Sequence, residues 1–234
     1  MGKQLILFTF SLVFTFLVCA QEEEQPDEPI PEEATVDQPE EDSIQVSKRV
    51  LTPSIYIDYG KLLTIPSSQE TKYEGGIELL FLEQFPLIIE AGMATLNPDQ
   101  AFANGMYEST GMYYRVGTGY YSQFQPKNKL GVTLRYGTST FDESSRINII
   151  STSGVQDVAF PPIERESLTA SWFEAVIYSD RKLSDLFAIG LNLRLRVLID
   201  YDEQSPVDVY AIPGYGRSFD NSIPAANLFL KVSF

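Results

Sequence analysis

The amino-acid sequence predicts an all-β protein: an eight-stranded, antiparallel, up-and-down transmembrane β-barrel that follows a disordered acidic N-terminal segment. Three observations carry this prediction. Apolar and polar residues alternate in eight segments after Val50, the last of these segments ends the chain on Phe234, and the chain begins with an apolar run. One apolar face per segment is the pattern of strands that meet lipid on one side and a polar lumen on the other.

The first 20 residues have the features of a cleaved signal peptide. Lys3 supplies a positive charge, an apolar run follows it, and Ala20 fits the small residue that precedes a cleavage site. In the alternative reading Cys19 is lipidated, although Val18 is not the small residue that such a signal places before its cysteine. We therefore expect cleavage after Ala20 and export from the cytoplasm.

Residues 21–49 form an acidic, proline-rich segment. Residues 21–43 contain 11 acids, no base and four prolines, and they supply most of the formal net charge of −15. A chain with low hydrophobicity and high net charge cannot bury enough apolar surface to fold. We expect a disordered periplasmic linker that acts as a solubilising tether. The alternative is a ligand for a basic envelope partner or for divalent cations.

The barrel is predicted over residues 50–234. Its strands are expected at about 51–62, 73–83, 89–93, 111–121, 130–137, 168–178, 187–197 and 227–234. The connections are short after the second, fourth and sixth strands, with a tight turn at 84–86, and long after the others, the longest near 142–167 and 200–222. Short periplasmic turns with longer external loops are expected when both termini lie in the periplasm.

The alternation also predicts which side chains face the lumen. The seventh strand is the clearest, because apolar residues from Phe187 to Val197 alternate with Gly190, Asn192, Arg194 and Arg196. Across all strands, nine charged residues are expected inside: Asp58, Glu78, Glu90, Arg115, Arg135, Glu174, Arg194, Arg196 and Lys231. The lumen of an eight-stranded barrel is just wide enough to be filled by side chains. A lone buried charge is costly, so we expect a paired, structural network, with an ion or proton path as the alternative.

One loop segment is unusually aromatic. Tyr210, Tyr215, Arg217 and Phe219 flank a Pro-Gly turn in the last long connection. Such a segment is too apolar for a freely exposed loop. It is expected either to fold over the barrel mouth as a plug or to present a contact surface to a partner.

Three segments resemble a known group of proteins. Val132–Phe141, Ala170–Glu174 and Val209–Arg217 are similar in order and spacing to an uncharacterised family of small outer-membrane β-barrel proteins of the Bacteroidetes type, a domain of unknown function. The resemblance covers about residues 50–234 and implies a fold and a location without an activity. More distantly, the architecture is similar to the eight-stranded OmpA/OmpX class.

The composition argues against catalysis. The sequence contains no histidine, so histidine-assisted nucleophiles and histidine metal ligands are absent. Carboxylate pairs such as Asp142 with Glu143 and Glu164 with Glu166 are expected to be solvated loop acids. We therefore predict a non-catalytic protein without cofactor or metal.

The expected role is structural, or an interaction through the loops, in the outer membrane of a Gram-negative envelope. Two alternatives are a porin-like pore for small solutes or ions and an accessory subunit of an envelope secretion or assembly complex. The expected partners are outer-membrane lipids, the barrel assembly machinery that reads Phe234, and an envelope protein bound through the loops or the linker. Nucleic acid is not expected. A soluble lipocalin-like barrel is the alternative fold, and it would place apolar residues inside.

Overall fold

Eight strands account for most of the structure. The computed structural model describes residues 50–62, 70–99, 101–102, 104–149, 158–159 and 161–234. The strands are β1 (Leu51–Asp58), β2 (Glu70–Phe81), β3 (Phe85–Leu96), β4 (Gly105–Gln125), β5 (Asn128–Ile149), β6 (Ile163–Lys182), β7 (Phe187–Tyr201) and β8 (Ser222–Ser233). The predicted signal peptide, acidic linker and Cys19 lie outside the described residues.

The eight strands form one antiparallel sheet that closes in a ring. Each strand pairs with its neighbours in sequence, and β8 pairs with β1. The register, followed once around the ring from Tyr114, returns to β4 at Gln125. This stagger requires strands that are tilted to the axis of the ring. The predicted all-β fold with eight antiparallel strands is confirmed.

The two ends of the ring differ in their connections. At the short-turn end, residues 82–84, 126–127 and 183–186 join neighbouring strands, and β1 begins and β8 ends there. At the opposite, long-loop end, the connections are longer. The connection after β7 contains a small hairpin of Ala211–Ile212 with Gly216–Arg217, and Val158–Ala159 pairs with the end of β5.

Side chains alternate between the inside and the outside of the ring as the sequence pattern predicts. Leu193 and Leu195 on β7 are each 47% exposed, whereas Arg194 between them is 3% exposed. Successive residues of a strand point to opposite faces of a sheet, which produces this difference. The outer face of the wall is therefore mainly apolar, and the inner face carries the buried charged side chains, the reverse of a lipocalin-like arrangement.

Two predicted boundaries at the start of the ring are wrong. Strand β1 ends at Asp58, where one helical turn, Tyr59–Leu62, begins. The first short turn lies at residues 82–84 instead of 84–86, because Leu82 and Glu83 both take positive φ angles. Two such residues in succession match the twist of a hairpin. No helix among the described residues is long and apolar enough to span a membrane.

Strands β4, β5 and β6 are much longer than predicted. Beyond Tyr136, β5 continues with outward Thr138, Thr140, Asp142 and Ser144, while Ser139, Phe141, Glu143 and Ser145 point inward. Because the outward face is polar there, the sequence shows no apolar outer stripe and was expected to form loops. We call the parts of these strands that continue past their predicted ends at the long-loop end, residues 105–110, 138–149 and 163–167, the extension.

Candidate functional site

The interior of the ring holds the candidate site. All nine charged residues predicted to face inward are buried, none more than 9% exposed. Eight of them fall into two groups, which we call the arginine cluster and the lysine cluster. The ninth, Asp58, accepts a hydrogen bond from the Asn227 side chain.

Glu90 is the hub of the arginine cluster. Its carboxylate lies 2.9 Å from Arg194 Nη2, 2.5 Å from Arg135 Nη1 and 3.3 Å from Arg115 Nη1. Tyr56 Oη also donates a hydrogen bond to Glu90 Oε1 at 2.8 Å. Charge-assisted hydrogen bonds from several guanidinium groups to one carboxylate satisfy a charge that is fully removed from water.

Two further carboxylates complete the arginine cluster. Glu74 lies 2.7 Å from Arg115 Nη1 and 2.7 Å from Lys72 Nζ, and it also approaches Arg194. Glu174 lies 2.7 Å from Arg115 Nε and 3.5 Å from Arg196 Nε. The Arg115 Nε contact is an ion pair without hydrogen-bond alignment. Every charged group of the cluster therefore has an oppositely charged neighbour.

The loop after β7 folds into the ring and covers the arginine cluster. We call residues 209–218 the plug. Val209, Ile212 and Tyr215 are fully buried and pack with Tyr113 and Trp172 of the ring. Two backbone carbonyls of the plug accept charged hydrogen bonds, Gly214 O from Arg115 Nη2 at 2.9 Å and Tyr215 O from Arg196 Nη1 at 2.6 Å. The arginines thus bind acids of the wall and the plug backbone together.

Gly214 is the residue that allows this close approach. Its φ angle of +85° lies in the left-handed region, and a Cβ atom built there would lie 2.5 Å from Tyr113 Cγ. Glycine populates this backbone conformation without a steric penalty and has no Cβ to clash. A side chain at this position would push the plug away from Arg115.

An aromatic layer separates the two clusters. Tyr121 and Tyr178 stack with ring centroids 4.2 Å apart, and Phe229 packs between Tyr178 and Tyr56. Tyr56 reaches Glu90 on one side, whereas Tyr121 Oη donates to Glu78 Oε2 at 2.9 Å on the other. Each tyrosine buries its ring in the layer and uses its hydroxyl to satisfy a charged neighbour.

The lysine cluster lies toward the short-turn end. Lys231 Nζ lies 2.5 Å from Asp180 Oδ2 and 3.2 Å from Glu78 Oε1, and it donates a hydrogen bond to Tyr178 Oη. The three charged residues line a vestibule of about 470 Å³ at the short-turn end. Asp180 Oδ1 has no hydrogen-bond partner. This cluster is therefore reached from outside the ring.

Sequence reasoning missed three members of the clusters: Lys72, Glu74 and Asp180. All three are less than 9% exposed. The parity of β2 placed Lys72 and Glu74 on the same face as Glu78, and the parity of β6 placed Asp180 on the face of Glu174. With these residues, the two clusters and Asp58 contain six acids and six bases. The charges of the two clusters and Asp58 are thus balanced.

The four predicted plug or contact residues behave differently from one another. Tyr215 is fully buried and packs against Trp172, with ring centroids 5.9 Å apart. Tyr210 is half-buried, Phe219 is 59% exposed, and Arg217 forms an exposed ion pair with Asp220. The segment therefore has an inner side, which fills the ring, and an outer side, which faces away from it.

The acids of the third long connection are also divided. Asp142, Glu164 and Glu166 are exposed, as expected. The expectation is wrong for Glu143, which is 2% exposed and lies 3.2 Å from Arg165 Nη1. Arg165 in turn donates to Val207 O at 2.7 Å, which ties the extension to the loop that carries the plug. Among the described residues, no group of three or more acidic or thiol side chains is arranged to hold a metal ion.

The protein is therefore an all-β protein in which eight antiparallel strands close in a ring around a buried charge network. A family model for a domain of unknown function (DUF6048) matches residues 4–233, so the chain belongs to this family. The predicted membership of an uncharacterised family is confirmed. The match also includes the acidic N-terminal segment, which the resemblance of the three segments left out. No curated protein matches the chain.

Proposed function

We propose that the protein is an integral outer-membrane β-barrel whose filled interior fixes the arrangement of its external loops for binding. The observation that carries this proposal is the ring of exposed apolar side chains. Each strand contributes at least one large residue that is 40–60% exposed: Ile55, Ile77, Ile89, Tyr114, Val132, Phe173, Leu193 and Leu228. In water such a surface would be unfavourable, whereas a bilayer requires it.

The height of the apolar surface matches a membrane. Every outward position of β7 from Phe187 to Ile199 is apolar. With a rise of about 3.3 Å per residue and a tilt of about 40°, this stretch spans roughly 30 Å along the axis of the ring. The hydrocarbon core of a bilayer is about 30 Å thick. Tyr120 and Phe85, which pack against each other, lie near the short-turn edge where an aromatic girdle is expected.

The proposed location is consistent with two expectations from the sequence. Residues 1–20 have the pattern of an export signal, and the strand that contains Phe234 has the pattern that is read in barrel assembly. The same reading agrees with the Bacteroidetes-type resemblance and with the distant similarity to the OmpA/OmpX class. The short-turn end then faces the periplasm, and the extension and the plug loop face outward.

The filled interior supports a binding role over a pore. The plug covers the arginine cluster, and the aromatic layer lies below it. A cavity of about 570 Å³ beside the plug reaches Lys72 and Arg196, while the vestibule enters from the opposite end. The aromatic layer stands between these two spaces. With a closed interior and no histidine in the sequence, the working surface is the extension and the external loops.

Cell fractionation combined with gel electrophoresis tests the proposal. We expect the full-length chain in the outer-membrane fraction and a change in gel mobility on boiling. Leu193→Arg, on the proposed lipid face, should destabilise the folded form by about 2–4 kcal/mol. Thr140→Arg, an outward position of the extension, is the matched control and should have little effect. Recovery of the wild-type chain as a soluble periplasmic protein would refute the proposal.

A further inference from the structure

A groove on the outer wall lies close to the short-turn end. It has a volume of about 530 Å³ and crosses the outer faces of β5, β6, β7 and β8. Its apolar lining consists of Phe124, Leu130, Ile189, Leu191 and Leu228. Exposed Ser179 leaves the space open, because a larger outward side chain at this position would fill it. This lining suits a hydrocarbon chain better than a polar ligand.

The groove ends at a group of basic residues. Arg181 lines it and lies opposite Asn128 in the β5–β6 register. Lys129 also lines the groove, and Lys127 and Lys182 lie next to Arg181 at adjacent strand ends, which are joined by the hydrogen bond from Lys182 N to Lys127 O at 2.8 Å. Lys182 has the inward parity of Asp180, and it also lines the vestibule. The side chains of Lys127, Arg181 and Lys182 are exposed, and none forms an ion pair with another described residue. Asp180, also at the groove, is already paired with Lys231.

The charge of the two ends is opposite in sign. Exposed acids dominate the long-loop end: Glu108, Asp142, Glu164, Glu166, Asp200, Asp202, Glu203 and Asp208. The three exposed bases next to the groove lie at the other end, beside Asp185. An excess of positive charge next to an apolar groove is complementary to a lipid that carries a negative head group.

We propose that this groove binds an anionic phospholipid of the leaflet at the short-turn end. The phosphate pairs with Arg181, whose planar guanidinium can donate two parallel hydrogen bonds to it. Lys127 and Lys182 add attraction for the net negative charge, and one acyl chain lies along the apolar lining. This inference rests on the proposed membrane location, and it adds a lipid class and a leaflet.

Spin-labelled lipids in reconstituted vesicles test the inference. The full chain is folded into phosphatidylcholine vesicles, and the bound fraction of labelled phosphatidylglycerol is compared with that of labelled phosphatidylcholine. We expect wild type to prefer phosphatidylglycerol and Arg181→Gln/Lys182→Gln to lower that preference at least about fivefold. Arg146→Gln/Arg217→Gln, which removes two exposed charges at the long-loop end, is the matched control and should keep the preference.

A second variant separates the groove from simple surface charge. Ser179→Phe fills the groove without changing any charge, so we expect it to lower the phosphatidylglycerol preference as well. Inorganic phosphate is then added as a competing free anion at about 10 mM, a concentration too low to screen nearby charges strongly. It should not abolish the preference if the lipid is held by its chain and its phosphate together. Loss of the preference in phosphate alone would assign the site to free anions and overturn the lipid proposal.

The outcomes distinguish the two proposals. If the chain is retained in vesicles after an alkaline wash but shows no preference for phosphatidylglycerol, the groove proposal is wrong and the membrane proposal stands. Equal loss of preference in the groove variants and in the control would also overturn the groove proposal. If the alkaline wash removes the chain from the vesicles, the membrane proposal itself fails and the groove proposal fails with it.

Discussion

The arginine cluster and the lysine cluster occupy the same ring but are built differently. In the arginine cluster, four guanidinium groups and Lys72 share three carboxylates, and the plug covers them. In the lysine cluster, a single ammonium group contacts two carboxylates and Tyr178, and Tyr121 donates to one of these carboxylates. A vestibule adjoins this cluster. The difference indicates that a charge cluster needs more hydrogen-bond donors from the protein when less water can reach it.

The arginine cluster needs many donors because little water can reach its centre. Glu90 and Glu174 are completely buried, and Arg115 is 1% exposed. A guanidinium group has five donors in a fixed plane and can bind several carboxylates and carbonyls at once, whereas an ammonium group has three. The lysine cluster can be simpler, since water in the vestibule can solvate what its single lysine leaves unpaired, including Asp180 Oδ1.

The largest expected effect comes from neutralising the hub of the arginine cluster. Glu90→Gln keeps the shape of the side chain but leaves Arg115, Arg135 and Arg194 with fewer negative partners. Breaking a buried ion-pair network by removing one partner costs about 3–5 kcal/mol. Urea unfolding in lipid vesicles, followed by the fluorescence of Trp172, measures this loss.

Glu78→Gln is the matched change in the lysine cluster. Lys231 keeps Asp180 as a partner and the vestibule admits water, so we expect a smaller loss of roughly 1–2 kcal/mol. Equal losses for the two variants would contradict the difference between the clusters.

Truncating a buried side chain of the plug is expected to cause the next largest loss of stability. Tyr215→Ala removes a fully buried aromatic side chain that packs against Trp172 and uncovers the arginine cluster. Truncation of a buried aromatic residue costs about 3 kcal/mol or more. Arg217→Ala, on the exposed side of the same hairpin, should change stability by less than about 0.5 kcal/mol. The same urea titration compares the two variants, and similar losses would mean that the plug does not pack as described.

Removing the charge of Asp208 is expected to have the smallest effect on the unfolding free energy. This effect depends on pH. Partial burial raises the pKa of Asp208, but hydrogen bonds from Tyr201 Oη and from the backbone N–H of Gln204 and Val209 lower that pKa below its usual range. Because the folded pKa is depressed, the carboxylate stabilises the loop fully above its unfolded pKa of about 3.9. This contribution is lost as the pH falls from there through the folded pKa.

Comparison with Asp208→Asn measures this contribution. The difference in unfolding free energy between wild type and the variant should shrink as the pH is lowered from 6 to about 2.5. A difference that stays constant over this range would mean that the loop does not depend on the Asp208 charge.

The sequence predicted much of the ring because strands with one apolar and one polar face leave a strong pattern. The outward parity of Ile89, Leu193 and Leu228 agrees with their exposure, and the nine predicted inner charges are buried. The strand prediction fails where a strand has no apolar outer face. The outward face of β5 beyond Tyr136 is polar, and Asp180 lies just past the expected end of its strand, so both were missed.

The partners within the interior could not be predicted from the sequence. Parity places Arg115 inside but does not say that it binds Glu74 and Glu174 together with Gly214 O, because these contacts depend on the stagger of the strands and on the path of a loop. The buried position of Glu143 has the same origin, since it follows from the extension and from Arg165.

Spin-label accessibility along β7 in vesicles tests whether the apolar outer face of the ring lies in lipid. Single cysteines are introduced from Phe187 to Val197 in a chain whose Cys19 is replaced by Ala, and collisions with oxygen and with a water-soluble nickel complex are measured. We expect high oxygen accessibility at residues 189, 191, 193 and 195 and low accessibility to both reagents at 192 and 194. High nickel accessibility at 191, 193 and 195 would show that the apolar face meets water and would refute the membrane proposal.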